Sequence, residues 1–377
     1  MESDIRPPPL KRLRFSREHA PTFLNRESRD RGTSLKPLED EFSFIRIFSW
    51  NINGIDPFLQ KPITSFFSSS ISSAATSPSS TPTLNSKSLS SRLTSSLRAF
   101  LRRHSWPHLL CLQEVKIAFD DTATQRAVRR AVNDDHGCSK DEPQYEIFFT
   151  LPKDEFNARG WGGKVYGVCS IIRKDFLNER VERVRDVDWD QEGRIMIVEL
   201  KDKIHIWNVY AVNGTDNPWR HPQSGEIIGT RHDKKREVHQ KMVADCRSAA
   251  ERGISFLIIG DLNVAPSRID GHPNLRTFPQ QHVINRADFN RKFFHSDNGL
   301  RAIDVWRHLR GSERKYTYFP RGKPWASSCD RVDLVISSRS LIDNGHVTWI
   351  EIFDSEEERG PSDHVPIAVE VRLKADL

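Results

Sequence analysis

The sequence predicts an α/β (α+β) fold in which stacked mixed or antiparallel sheets are covered by helices. Two observations carry this expectation. Short apolar runs of strand length recur from residue 44 to residue 373, and few helix-period segments separate them. An all-parallel sheet needs a long crossover between successive strands, usually a helix, and this spacing does not supply one. In addition, several of these runs stop abruptly at Asp, Asn, Glu or His, as strands do at a polar sheet edge.

The totals bound the rest. Apolar residues make up 37% and charged residues 29%, a soluble composition with enough apolar mass for a core. The net charge of +6 suits a polyanionic partner such as nucleic acid. The 5 cysteines show no CxxC or zinc spacing, which argues against a disulfide scaffold and points to a reducing compartment. No apolar run approaches the roughly 20 residues of a membrane-spanning helix, so no membrane partner is expected.

Residues 1–40 lack periodicity and are rich in Pro, Arg, Ser, Glu and Asp, so they are read as a disordered tail. Its basic cluster, Pro7-Pro-Pro-Leu-Lys11-Arg12-Leu-Arg14, reads as a nuclear-localisation signal or a loose nucleic-acid arm. Glu2, Asp4 and Glu18 depart from the acid-poor pattern of a mitochondrial presequence, so the nucleus is expected and the mitochondrion is the alternative. The folded domain is expected over 41–377. It begins with a strand at 44–50, closed by Asn51-Ile-Asn53-Gly54. Residues 64–96 are dominated by Ser with Thr and Pro, a composition that cannot bury a core, and are read as a disordered insertion.

An amphipathic helix follows at 93–104, with Leu93, Leu97, Phe100 and Leu101 on one face. Pro107-His-Leu-Leu-Cys-Leu-Gln113-Glu114 is a strand ending in Gln-Glu, and 122–132 is a helix. Strands at 145–150 and 165–172 flank the Gly-rich turn 160–163. A hairpin is expected at 194–200 and 203–210, a polar loop at 215–229 and a basic helix at 230–252 capped by Gly253. Phe256-Leu-Ile-Ile-Gly-Asp261 is a buried strand reaching its edge, where Asp261 and Asn263 leave on the same face. Taken alone, that pair could be an Asx turn. A short helix at 286–294 and strands at 316–319, 331–336, 347–352 and 367–373 complete the chain.

The polar strand ends make one chemical set: Asn51/Asn53, Glu114, Tyr210/Asn213, Asp261/Asn263, Asp333 and Asp363/His364. Together they fit hydrolysis of a phosphodiester. A hard divalent cation takes oxygen ligands from one or two carboxylates and keeps several waters. Glu114, Asp363 and the Asn51 amide oxygen are the candidates to supply them. Asp261 suits a general base, and Asn263, Asn213 and His364 suit donors to the non-bridging oxygens. Asp333 is placed to hold the His364 tautomer and favour its imidazolium, and Tyr210 to steady the phosphate or leaving group as donor or phenolate.

These residues fall in ordered motifs: Ser49-Trp-Asn-Ile-Asn-Gly54, Leu112-Gln-Glu114, Asp190-Gln-Glu-Gly-Arg194, Asn208-Val-Tyr210, Gly260-Asp-Leu-Asn-Val-Ala265, Tyr316-Thr-Tyr-Phe319, Arg331-Val-Asp333 and Ser362-Asp-His364. In order and spacing, over about residues 44–373, the chain resembles the exonuclease III family of abasic-site endonucleases, within the DNase I-like phosphoesterases. The resemblance implies a four-layer αββα sandwich, Mg²⁺ or Mn²⁺, and a monomer that incises double-stranded DNA 5′ to abasic sites. Action on blocked 3′ ends or as a 3′→5′ exonuclease would accompany it. It also implies roles. Asn51, Glu114 and Asp363 are expected at the metal, with Asp261, Asn263 and His364 around it; Tyr210, Asp261, Asn263, Asp333 and His364 are expected to be catalytic. Asn53, Asn213, Arg194, Tyr318, Phe319, Trp325 and Arg331 are expected to contact DNA or its phosphates.

Two departures stand out: Tyr210-Ala-Val-Asn213 replaces the Tyr-x-Pro-Asn turn of many relatives, and Asp330 stands where relatives often carry Trp or another apolar residue. The segment 306–325 mixes Arg307, Arg310, Arg314, Lys315, Arg321 and Lys323 with aromatic rings, which suits phosphate contact and base stacking. The alternatives are a phosphoesterase of the same superfamily acting on RNA or a phospholipid, and a non-catalytic DNA-binding protein.

Overall fold

The computed structural model describes residues 44–59, 96–133, 141–158, 166–295 and 298–373. The tail at 1–40, nearly all of the 64–96 insertion and the 160–163 turn lie outside the described residues. All described residues fall within one compact unit.

The strands in chain order are β1 (Phe44–Asn51), β2 (Leu109–Gln113), β3 (Tyr145–Thr150), β4 (Val168–Arg173), β5 (Val181–Asp186), β6 (Ile195–Leu200), β7 (Ile204–Tyr210), β8 (Pro218–Arg220), β9 (Ile227–Thr230), β10 (Ser255–Asp261), β11 (Gly271–His272), β12 (Ile303–Asp304), β13 (Cys329–Asp330), β14 (Asp333–Ser337), β15 (Val347–Ile352) and β16 (Ile367–Arg372). The helices are α1 (Leu97–Arg103), α2 (Thr122–Asn133), α3 (Lys174–Arg180), α4 (Arg231–Glu251), α5 (Gln280–Asn290), α6 (Val305–Arg310), α7 (Arg339–Asp343) and α8 (Glu356–Arg359).

Two six-stranded mixed sheets result, in the orders β15-β16-β1-β2-β4-β3 and β12-β14-β10-β7-β6-β5. Each is built the same way. One parallel pair, β1/β2 in the first sheet and β7/β10 in the second, sits at the centre with antiparallel neighbours on both sides. Their inner faces share a core in which Ile45, Ile47, Leu109 and Ile172 meet Val198, Ile206, Leu257 and Val335. On the outer face of the first sheet, Phe48, Trp50 and Leu112 pack against Leu97, Phe100 and Leu101 of α1 and Val128 and Val132 of α2. On the outer face of the second, Trp207, Val209 and Ile258 pack against Val238, Met242 and Cys246 of α4 and Phe289 of α5. The layers are therefore helix, sheet, sheet, helix, as expected.

A polar contact crosses the apolar interface. Gln113 on β2 donates to Ser49 Oγ at 2.9 Å and to Asn208 Oδ1 of the opposite sheet at 2.8 Å. Asn208 in turn donates to the Cys169 carbonyl at 3.0 Å. Both NH₂ groups of these buried amides are thereby satisfied.

Several expected elements differ. β5, with sequence VERVRD, was not expected, because its charges hide the period of two; it closes the edge of the second sheet, where Glu199 on β6 pairs with its Arg183 and Arg185. The polar loop 215–229 contains the ribbon β8–β9, which leads into α4. The 316–319 strand is reduced to bridges from Tyr318 to Asp330 and His364. The helix expected at 286–294 begins earlier, as α5, and ends in a π-turn over Arg291–His295.

Candidate active site

Both central parallel pairs end at the same edge of the molecule. β1 delivers Asn51, the turn after β2 delivers Glu114, and β7 and β10 deliver Tyr210 and Asp261 in register. Two antiparallel neighbours begin there. Asp333 opens β14 directly opposite Asp261, and the loop before β16 carries Ser362, Asp363 and His364. Mixed sheets of this kind thus concentrate strand termini, with their polar side chains, at one place.

The local backbone aims these side chains. Gly260 has φ +141, and a Cβ there would stand 2.1 Å from the Val209 carbonyl, so only glycine lets β10 approach β7 this closely. Asn53, Glu114 and Asn263 all have left-handed φ, at 52, 55 and 53. Non-glycine residues adopt this conformation at an energetic cost, and it gathers at functional sites. Ser362 Oγ donates to the Asn51 carbonyl at 2.6 Å and accepts from the His364 N–H at 3.1 Å, pinning the last loop to β1. Trp50 Nε1 donates to the His364 carbonyl at 2.9 Å.

Around the buried Asp261 the groups converge. Its Oδ2 accepts from Asn51 Nδ2 at 3.0 Å and Asn263 Nδ2 at 3.3 Å, and lies 4.0 Å from His364 Nε2. Its Oδ1 accepts from the Asn263 N–H at 2.8 Å. His364 Nδ1 meets Asp333 Oδ2 at 2.7 Å. Burial, and then the Asp333 carboxylate, push Asp261 up to about 7. Burial opposes the His364 charge, but Asp333, its bonded partner, and Asp261 and Asp363 outweigh it, so the imidazolium persists to about 10. Burial and the nearby Glu114 carboxylate raise Tyr210 well above 10, so of donor and phenolate the neutral phenol is the form present.

Asn51, Glu114, Tyr210, Asp261, Asn263 and His364 line a pocket of about 280 Å³, together with Asn213, Tyr318, Asp330 and Asp363. Its acidic corner draws cations: Lys116 Nζ sits 3.1 Å from Glu114 Oε1 and also bonds Asn53. That ammonium stands in for a cation, and the carboxylate oxygens of Glu114 and Asp363 fit a hard divalent ion. One expectation is corrected. The Asn51 amide oxygen accepts from the Asn53 N–H at 3.0 Å, and its NH₂ end faces Asp261 and Glu114, because two carboxylates attract a donor. Asn53 Nδ2 donates to Asp363 Oδ1 at 3.0 Å, linking the ends of β1 and the last loop. Among the described residues, no group of three or more His, Cys, Asp and Glu side chains is placed to hold a metal ion by itself.

Residues 48–364 match the model of the endonuclease/exonuclease/phosphatase family, most of the chain. The chain belongs to this family. No curated protein matches it. Its fold is similar to an AP endonuclease from Archaeoglobus fulgidus, at 17% identity and TM-score 0.52, covering 86% of this chain and 98% of that one. It is also similar to the Xenopus laevis APE2 catalytic domain, at 16% identity and TM-score 0.56, with 88% and 94% covered. A third is the 3′ phosphatase NExo from Neisseria bound to a product DNA hairpin, at 16% identity and TM-score 0.51, with 87% and 99% covered.

In this endonuclease/exonuclease/phosphatase domain, several residues expected at DNA lie elsewhere. Arg194 is buried, paired with Glu192 at 2.7 Å and stacked over Tyr166 and Tyr210, so it supports the Tyr210 ring and offers nothing to a phosphate. Arg331 is fully buried between Asp270 and Asp304. Phe319 is buried and stacks on the half-buried Trp325 at 4.0 Å, away from the pocket lining. The basic segment 306–325 is largely engaged internally: Arg307 with Asp270, Arg310 and Lys315 with Glu351, and Arg321 with the Ser362 carbonyl. Tyr318 does reach the site, its ring 5.0 Å from that of His364. Conversely, the pocket includes residues that the sequence reading passed over: Lys235, Arg276, His282, Asn285 and Arg286. Only Lys235 lay in a segment marked basic, and no periodicity set it apart from its neighbours there.

Proposed function

We propose that this protein is a metal-dependent DNA repair nuclease that hydrolyses the phosphodiester 5′ to abasic sites and also processes 3′ ends. The observation that carries the reading is the convergence of Asp261, Asn263, Tyr210 and the His364–Asp333 pair beside Glu114, Asn51 and Asp363 in one pocket. Asp261, held near neutral, is matched to taking a proton from the attacking water. Asn51 and Asn263 orient that carboxylate by donating to Oδ2. The His364 imidazolium, fixed by Asp333, offers Nε2–H to a non-bridging oxygen as charge builds there. Tyr210 adds a phenolic donor beside it, and Asn213 an amide. A Mg²⁺ or Mn²⁺ ion, held by Glu114 with Asp363, would supply Lewis-acid neutralisation of the phosphate charge. The similarity in fold to an archaeal AP endonuclease and to a phosphatase bound to a DNA hairpin supports a DNA substrate.

One feature favours a second reading. Asp330 puts a carboxylate in the pocket wall, which suits a hydroxyl-bearing sugar and hence an intact ribonucleotide. A labelled duplex with one tetrahydrofuran abasic analogue, an undamaged duplex and poly(A) RNA, each with Mg²⁺ or EDTA, separate the two. The expected result is a nick 5′ to the analogue that EDTA abolishes. Cleavage of RNA alone would replace the first reading with the second. Asp261→Asn is expected to bind the duplex and to cut it orders of magnitude more slowly.

A further inference from the structure

We infer that Asp330 is a specificity-determining residue, whose carboxylate accepts a hydrogen bond from the anomeric hydroxyl of an abasic sugar seated in the pocket. The inference rests on the proposed nuclease reading and adds which form of the damaged sugar the site selects. It starts from a charge without a partner. Three other carboxylates line the pocket, and each has a bonded donor: Glu114 has Asn51 and Lys116, Asp261 has Asn51 and Asn263, and Asp363 has Asn53. The half-buried Asp330 carboxylate has none among the described residues. Arg276 and Arg286 temper the rise that burial imposes on it, but neither pairs with it. Arg286 instead directs its guanidinium to the carbonyls of Ala265 and Arg276.

The backbone fixes where this carboxylate stands. Antiparallel bridges tie Tyr318 to Asp330 on one side and to His364 on the other. Residues directly opposite in such pairs present their side chains to the same face, and all three line the pocket. Two strand spacings put the Asp330 backbone about 10 Å from that of His364. The Asp330 N–H donates to the Tyr318 carbonyl at 3.2 Å, and its own carbonyl accepts from the Thr317 and Tyr318 N–H groups at 3.0 and 2.9 Å. Gly271 pairs with it across β11 and β13, and a Cβ there would stand 2.9 Å from Asp330 Oδ1. A glycine thus clears the space that the carboxylate occupies.

Chemistry limits what can lie against it. A carboxylate only accepts hydrogen bonds, and it repels a phosphate. With the His364 imidazolium at the cleaved phosphate, the substrate group that faces Asp330 lies about one sugar away and must be an uncharged donor. The sugar of an undamaged deoxynucleotide has no free hydroxyl within a strand. The sugar of an abasic site, closed as a hemiacetal, has one at C1, where the base was lost. A base could offer an amino donor only by leaving the stack, at a cost in unstacking energy. A site that reads a hydroxyl rejects the analogue that lacks it, because its own polar group is then left unpaired. Tetrahydrofuran is that analogue: the same ring without the C1 hydroxyl.

The test measures kcat/KM with Mg²⁺ on duplexes that carry one natural abasic site, one tetrahydrofuran site or one ribonucleotide. Wild type, Asp330→Leu and Asp330→Asn are compared. The wild type is expected to prefer the natural site over tetrahydrofuran on the order of tenfold, the worth of a hydrogen bond to a charged group. In Asp330→Leu the preference disappears, through slower cutting of the natural site. Asp330→Asn keeps an acceptor without the charge, falls between the two, and carries the test if Asp330→Leu does not fold. The same preference in all three proteins overturns the inference, as does a wild type that cuts both abasic duplexes alike. A ribonucleotide cut as fast as the natural abasic site, and slowed by the same substitution, puts the donor at C2 and overturns the anomeric assignment. A wild type that cuts neither abasic duplex sinks the nuclease reading itself, and the inference with it.

Discussion

Asp261 shows how a single residue acquires its chemistry from its neighbours. An ordinary Asp is a weak base, and burial opposite Asp333 raises it to about 7. The sign is fixed: below that value the protonated form dominates and cannot accept a proton from water. We predict that kcat/KM rises about tenfold per pH unit up to near 7 and then levels off. Asp333→Asn removes the carboxylate that raises both Asp261 and His364. Its acid limb should therefore move to lower pH. The His364 imidazolium, present up to about 10 in the wild type, should be lost near the ordinary histidine range. A pH–rate profile and imidazole NMR titration check both shifts, and an unmoved profile would refute the coupling.

Among the secondary-structure elements, strand ends were legible in the sequence and charge partners were not. A strand that stops at Gly260-Asp261 announces itself by four apolar residues and a sudden change of polarity. β5 did not, because Glu182, Arg183 and Arg185 mask the alternation that an edge strand needs on only one face. Arg194 and Arg331 were expected at phosphates because an arginine near a catalytic motif carries no mark of its counter-ion. Those counter-ions, Glu192, Asp270 and Asp304, became visible only when the loops folded together. Lys235 was hidden for the opposite reason: many cations share its helix, and only packing buries this one. The correction has a measurable consequence. Asp270→Asn leaves the Arg331 charge buried with one acid fewer, and should lower unfolding free energy by about 3–5 kcal/mol. A urea melt measures it. If Arg331 instead served DNA, the variant would weaken binding without changing the melt. Gly260→Ala should be equally damaging, through the close contact of β10 with β7.

For the molecule as a whole, the two sheets are joined by an apolar interface that a polar clasp, Ser49–Gln113–Asn208, also crosses. Removing Gln113 leaves the Asn208 Oδ1 without its donor, and removing Asn208 takes one acceptor from Gln113 Nε2. Gln113→Leu and Asn208→Leu should each cost about 1–3 kcal/mol, and the double variant less than their sum. Additive losses in denaturant melts would show that the clasp does not couple the sheets. This much could not be read from the chain, because Gln113 and Asn208 lie on separate strands with nothing in the sequence to pair them.

The place of β1 has a consequence for the life history of the protein. It is the first described strand, yet it lies between β2 and β16, and its own end is pinned by Ser362. The hydrolytic centre cannot assemble until the polypeptide beyond residue 362 has left the ribosome and returned to its start. A nascent or prematurely terminated chain is thus disarmed by topology alone, without an inhibitor.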